Sequence, residues 1–432
     1  MSIVVGILVV VLGIAVSIAL HEVGHMVPAK AFGVRVSQYM VGFGPTLWSR
    51  TKGETEYGVK AIPLGGYVRM VGMMPPAPAG TRRGSGFFAQ VIADARDQSV
   101  DEIRPGEEQR AFYHLSTPKK LVVMLGGPVM NLVLAVVLTA AFMAIGVTQQ
   151  TTTVAAVSEC VPTATGAPCD ASAAPAPAAA AGLRAGDRIV SYDGNRTHTW
   201  TDLLDAIDGT AGQAVPVVVE RDGKQLTLTI TPVDVRRAVV EADGTVVKDA
   251  RGEVQTVSGA FLGVAPTMAR QAMPMSQVPA EVGRMFTGTA GAVVTFPAKV
   301  YQAVEQTFTD APRSADGVMS VVGVGRAAVG VAGLDATVMD RVAIMLSLLA
   351  SLNMALFVFN LIPLLPLDGG HVVNALYEGA KRTVARVRGL RVLPGPADVA
   401  RMMPVAYVMF VVLMGSGLLL IVADVVDPVK IF

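Results

Sequence analysis

Charge is scarce in this chain: Asp, Glu, Lys and Arg make up 16% of its 432 residues, against roughly a quarter in soluble domains. Together with a hydrophobic share of 52% and a mean hydropathy of +0.51, that shortage excludes a purely soluble globular enzyme. Cysteine is scarcer still. Cys160 and Cys169 alone build neither a disulfide-dense secreted scaffold nor a four-cysteine zinc or iron–sulfur site. Nor is there an excess of one sign of charge, since 35 basic against 34 acidic residues leave a net +1, which offers a polyanion nothing and gives no nucleic-acid partner. Metal chemistry must therefore come from Asp, Glu and the five histidines.

What is present is apolar length. Residues 2–20, 121–147, 342–367 and 402–423 are uncharged, and about 20 helical residues cross a hydrocarbon core of ~30 Å. The first run lacks a basic n-region and exceeds the ~7–15 residues of a signal-peptide h-region, so it reads as a retained span. The chain divides accordingly: 1–25, first transmembrane helix; 26–120, a cytoplasmic membrane-associated β-element and flexible loop; 121–147, second transmembrane helix; 148–265, an extracytoplasmic domain with an Ala/Pro-rich insertion. There follow 266–341, an amphipathic outer-surface segment; 342–370, third transmembrane helix; 371–401, a basic cytoplasmic loop; and 402–432, fourth transmembrane helix and tail.

Orientation follows from Lys and Arg, which are in excess in cytoplasmic connectors. Residues 369–401 hold Lys381, Arg382, Arg386, Arg388, Arg391 and Arg401 against Glu378 and Asp398, and Lys119 and Lys120 stand at the foot of the second run. Both termini and the central segment then lie outside. Residues 34–71 alternate with period two between turns expected at Gly42-Phe43-Gly44-Pro45 and Lys52-Gly53, which reads as a small sheet beside the membrane. Residues 74–110 show no periodicity and read as a flexible loop. In the central segment, strands at 188–192, 215–219 and 226–230, turns at Asp193-Gly194 and 221–224, and a helix at 201–207 make a compact domain.

The chemistry is concentrated in His21-Glu22-Val23-Gly24-His25. On a helix, positions i and i+4 share a face, so both imidazoles reach one zinc ion while Glu22, one step round, addresses the attacking water. Three ionisable groups at the end of a span are costly unless they serve a site. A catalytic zinc takes three protein ligands and keeps a position open, and the third run ends in the carboxylate of Asp368 on the same side of the membrane as His21 and His25.

The pair of His21-Glu22-Val23-Gly24-His25 and Asn360-Leu361-Ile362-Pro363-Leu364-Leu365-Pro366-Leu367-Asp368-Gly369-Gly370 resembles the intramembrane site-2 metalloproteases, which carry H-E-x-x-H on the first core helix and N-x-x-P-x-x-x-L-D-G on a later one. The resemblance implies that His21, His25 and Asp368 bind Zn2+, that Glu22 is the general base, and that Asn360 holds substrate or oxyanion. Gly126-Gly127-Pro128-Val129-Met130-Asn131 looks like the family's glycine–asparagine element, which makes Asn131 a substrate-binding candidate beside a reading as a small-residue packing surface. Ala181-Gly182-Leu183-Arg184-Ala185-Gly186-Asp187-Arg188-Ile189 resembles the bacterial PDZ signature, and Phe261-Leu262-Gly263-Val264 is similar to a PDZ carboxylate loop.

The fold so implied is a polytopic α-helical membrane protein of four transmembrane helices, with a small membrane-associated β-sheet and one extracytoplasmic PDZ-like α+β domain. The function implied is an intramembrane zinc endopeptidase cleaving single-span membrane proteins in regulated proteolysis, such as a previously trimmed anti-sigma factor. Its partners would be a transmembrane protein substrate, membrane lipid and an upstream site-1 protease. The alternative is a non-catalytic membrane PDZ scaffold with a structural metal site, in which Glu22 would have no task. For Cys160 and Cys169, a disulfide and two free thiols are both open.

Overall fold

An uncharged run in hydrocarbon satisfies its backbone only by coiling, and α1 (Ile3–Ala31) does so, with Lys30 in its last turn against the negative end of the helix dipole. The computed structural model describes residues 3–77, 85–161, 173–238, 254–307, 337–392 and 394–426, with positions 247, 320, 322, 323, 325 and 326. After α1 come β1 (Val36–Lys52) and β2 (Thr55–Met70), closed by Gly53 at φ 66 with Lys52 opposite Thr55. The expected turn at Gly42-Phe43-Gly44-Pro45 is instead a stretch of register shifts inside β1. There, residues 36–41 take partners on both sides, from Val36↔Met70 to Val41↔Gly66 and from Gln38↔Glu56 to Val41↔Val59.

The stretch expected to be a flexible loop contains α2 (Phe87–Asp101). Phe88, Val91, Ile92 and Ala95 recur at helical spacing there, but the charges between them dilute the pattern. α3 (Thr117–Ile145) is the second long apolar helix.

Residues Val147–Gln271 form a compact unit of their own. It comprises β3 (Val147–Val157), α4 (Pro177–Ala180), β4 (Arg188–Tyr192), β5 (Asn195–Arg196), α5 (Trp200–Ile207), β6 (Val215–Arg221), β7 (Lys224–Ile230), β8 (Val233–Ala238), β9 (Thr256–Phe261) and β10 (Val264–Gln271). The main sheet runs β10-β3-β4-β6-β7, and β8 pairs with β9. Asp193 and Gly194 both have positive φ between paired Tyr192 and Asn195, as a two-residue type I′ hairpin requires. α5 is held by a capping box between Thr199 and Asp202. Its Leu203 and Ile207 bury against Ile189, Tyr192, Val217, Val219 and Ile230. Val147 and Gln271, the ends of the unit, are paired on neighbouring strands, so the chain leaves and returns at one place. Cys160 is disulfide-bonded; Cys169, the only other cysteine, lies outside the described residues, as does much of the Ala/Pro-rich insertion.

The second unit is Met1–Gly146 with Ala272–Phe432, completed by α6 (Val278–Thr307), α7 (Val338–Asn360), α8 (Asp368–Val387) and α9 (Met403–Val426). Most of the expected outer-surface segment beyond Thr307 lies outside the described residues. Among the described residues, four stretches are long and apolar enough to cross a membrane: Leu8–Ala31, Thr117–Ile145, Val338–Asn360 and Val399–Val426. Two expectations are corrected here. The third span stops at Asn360, because Pro363 and Pro366 have no N–H to continue it; Asp368 opens α8 instead of ending the span. The basic stretch after it, expected to be a loop, is helical to Val387.

Within this unit α3 packs on α1 and α7, and glycines set the closest approach. A Cβ on Gly24 would fall 2.2 Å from the Gly126 carbonyl oxygen, and one on Gly126 would fall 2.0 Å from that of Gly24. The helices touch backbone to backbone, as small residues permit in a membrane.

Candidate active site

That glycine contact fixes the end of α1 that carries His21, Glu22 and His25. Gly127 then leaves room for the rings, since a Cβ there would sit 2.2 Å from His25 Nε2 and 2.7 Å from His21 Cε1. The glycine run on α3 is thus a packing surface and a recess for the histidines together.

His25 is buried, and its Nδ1 donates to the Val123 carbonyl at 2.8 Å. With the proton on Nδ1, the lone pair is on Nε2. His25 Nε2 lies 3.2 Å from His21 Nε2 and 3.3 Å from Asp368 Oδ2, and His21 Nε2 lies 3.4 Å from the same oxygen. Asp368 Oδ2 is buried without a hydrogen-bond donor among the described residues. With His21 protonated on Nδ1 as His25 is, three acceptors face one another at these distances and repel unless a cation lies among them. Their spacing fits zinc, whose bonds of about 2.0–2.1 Å give a tetrahedral edge of about 3.3 Å.

Asn131, fully buried on α3, brings its side-chain amide to His21, with Nδ2 3.0 Å from Nδ1. Two N–H groups cannot share that contact. When His21 offers its Nε2 lone pair to a metal, Nδ1 carries the proton, and the amide turns so that Oδ1, which otherwise has no partner, accepts it.

The cluster opens into a cavity of about 560 Å³ that Glu22, Asn131, Asn360, Gly66, Tyr67 and Val68 also line. The Val68 backbone N–H faces the Glu22 carboxylate, so the last strand segment of β2 borders the cavity. A Cβ on Gly66 would fall 3.2 Å from Glu22 Cγ and 2.9 Å from the Met40 carbonyl oxygen. Asn360 lines the cavity from the last residue of α7. The sequence motifs therefore converge on one cavity, joined by a residue they did not single out: His371, one turn after Asp368, lines it too. Burial pushes the His371 imidazole down to about 4, so it is neutral at physiological pH. Its adjacency to the Gly369-Gly370 pair was the available signal.

The model of peptidase family M50 matches residues 9–393. The chain belongs to that family. Over the full length of both chains it is 32% identical to "Zinc metalloprotease Rip1" of Mycobacterium tuberculosis, and over 99% of both it is 33% identical to the protein of the same name in Mycolicibacterium smegmatis. It is 28% identical to "Metalloprotease MmpA" of Caulobacter vibrioides over 85% of each chain. This member of M50 is a zinc metallopeptidase and, with its four apolar helices, an integral membrane protein. The alternative of a non-catalytic scaffold falls with that membership.

Proposed function

We propose that the chain is an intramembrane endopeptidase in which His21, His25 and Asp368 hold the zinc and Glu22 is the general base, acting on single-span membrane proteins. The observation that carries this is the convergence of two Nε2 atoms and one partnerless carboxylate oxygen at 3.2–3.4 Å in the cavity that Glu22 lines. When bound, zinc acidifies water and polarises the scissile carbonyl. Glu22 takes the proton from the attacking water and returns it to the leaving amine. Asn131 keeps His21 in the tautomer that presents Nε2, as the Val123 carbonyl does for His25. Asn360, whose side chain makes no hydrogen bond among the described residues, is placed to meet the substrate carbonyl.

A substrate helix has its amides bonded internally and must unwind before attack. The strand segment ending β2 offers backbone groups at the cavity, and pairing with them offsets part of that cost. The central unit is read as a PDZ-like domain on the outer face, which excludes substrates that still carry a bulky outer domain, so that an upstream protease acts first. The site then lies toward the cytosolic side, where the basic residues of α8 cluster.

Glu22→Gln keeps the shape and loses the base. In a cleavage assay with purified protein and a transmembrane peptide, this variant is expected to retain zinc and lose activity by about 10²–10⁴-fold. Cleavage at the wild-type rate would refute the role of Glu22.

A further inference from the structure

The catalytic cavity has a neighbour. Met73 and His371 line it, and the same two residues line a second cavity of about 20 Å³ together with Tyr113, Lys120, Asn374 and Glu378. That volume holds about one water, which needs two to four polar partners. Asn374 is nine-tenths buried, and its Nδ2 has no hydrogen-bond partner among the described residues. Glu378 accepts at Oε2 from Lys120 Nζ at 2.7 Å and from the Ala397 backbone N–H at 3.0 Å, and its Oε1 lies 2.9 Å from Arg382 Nη1. Asn374 thus brings an unused donor to the lining of a space of one water's size, beside the His371 imidazole and the Tyr113 hydroxyl.

On α8 the spacing of Asp368, His371, Asn374 and Glu378 puts all four on one helix face. A polar file runs from the metal cluster to an ion pair near the foot of α3, where Ser116, Pro118 and Lys119 are exposed. Tyr113, Asn374 and Glu378 lie outside the four apolar spans. The small cavity is thus on the charged side of the helices, and the catalytic cavity is beyond it. Between them stand a neutral imidazole, which can donate from one nitrogen and accept at the other, and a flexible thioether with three rotatable bonds.

We propose that His371 and Met73 form the gate through which water passes from the Asn374 cavity into the catalytic cavity. This rests on the hydrolytic reading above, in which each bond cut consumes one water, its hydroxyl going to the acyl carbon and its proton to the amine. Asn374 holds the waiting water, His371 hands it on by exchanging hydrogen bonds, and Met73 yields the space.

The test uses the full chain, purified and assayed on a transmembrane peptide. His371→Phe keeps a half-buried ring and removes both hydrogen-bonding nitrogens; kcat is expected to fall about tenfold, with KM and zinc content unchanged. Asn374→Leu, on the far side of the gate, is expected to do the same, and His371→Asn to restore most of the loss. As a readout apart from activity, Mn2+ loaded in place of zinc should relax water protons less in His371→Phe and Asn374→Leu than in wild type, and normally in His371→Asn. Wild-type kcat and wild-type relaxation in both impaired variants would overturn the gate, as would a loss explained by lower zinc content or raised KM. Should Glu22→Gln cleave like wild type, the hydrolytic reading fails, while the Mn2+ measurement still decides whether water passes at His371.

Discussion

Both units of the chain bury apolar clusters, and they differ in the apolar residues left outside and in the amides and charges taken in. In Val147–Gln271 the inside is Ile189, Tyr192, Leu203, Val217, Val219 and Ile230, as in any water-soluble domain. In the other unit, Leu12, Val137, Val408 and Leu418 are each more than half exposed, while Ser17, His25, Lys120, Asn131, Asn353 and Glu378 are buried. A solvent of lipid tails removes the reason to hide leucine and supplies a reason to hide amides and charges. In Val147–Gln271, burial therefore marks what holds the fold. In the membrane unit, buried polar groups mark where helices are tied and where chemistry happens.

Substitutions can sharpen or break this contrast, and the largest effect is expected at Gly127. Gly127→Ala puts a methyl 2.2 Å from His25 Nε2; zinc content and cleavage should both fall to background in metal analysis and a peptide assay, although the change is the smallest possible increase in size.

Leu203→Ala is expected to destabilise the central unit by about 2–5 kcal/mol, read by its thermal or denaturant transition, with zinc content unchanged. Loss of zinc would show that the two units are not independent. In the same unit Arg221 forks onto buried Asp187 at 2.7 Å through both Nε and Nη2, and this hydrogen-bonded guanidinium holds the Asp187 carboxyl below its usual value. The folded pKa is depressed, so the stabilisation is present above the ordinary Asp value of about 3.9 and is lost as pH falls through the folded one. Asp187→Ala should cost about 3 kcal/mol at neutral pH and flatten the acid limb of the stability curve; an unchanged acid limb would remove Asp187 from the account.

Asn131→Ala is expected to weaken zinc binding by about 10–100-fold, measured by competition with a chelator, because His21 loses the acceptor for its Nδ1 proton. The smallest effect belongs to Asn353, whose Nδ2 donates to Ser17 Oγ at 3.0 Å between α7 and α1. Asn353→Val should destabilise by about 0.6–1.7 kcal/mol, the range for buried polar contacts between membrane helices. A gain in stability would mean that buried amides tie the membrane helices no better than apolar packing does.

Much of the site was legible in the sequence because its parts are local. His21, Glu22 and His25 need only helical spacing, and Asp368 lies in a motif with Asn360. Strand ends in the central unit followed from alternation and from Asp-Gly pairs that suit positive φ. What the sequence hid was of two kinds. The stop of α7 at Asn360 was masked by an uncharged run that reads as one span, although Pro363 and Pro366 carried the signal. Contacts made across the fold were beyond local pattern: Lys120 and Glu378 pair over 258 positions, the Val123 carbonyl that orients His25 has no side-chain signature, and Gly24 meets Gly126 only because α1 and α3 cross there.

The cluster of His21, His25 and Asp368 is central to the proposed chemistry, and the measurement that tests it is zinc content and X-ray absorption at the zinc edge for wild type, His25→Ala and Asp368→Ala. Wild type should hold stoichiometric zinc with imidazole and carboxylate ligands, and each variant should lose most of it, since each removes one of the three ligands proposed for it. Full zinc occupancy with an unchanged coordination spectrum in either variant would contradict the assignment.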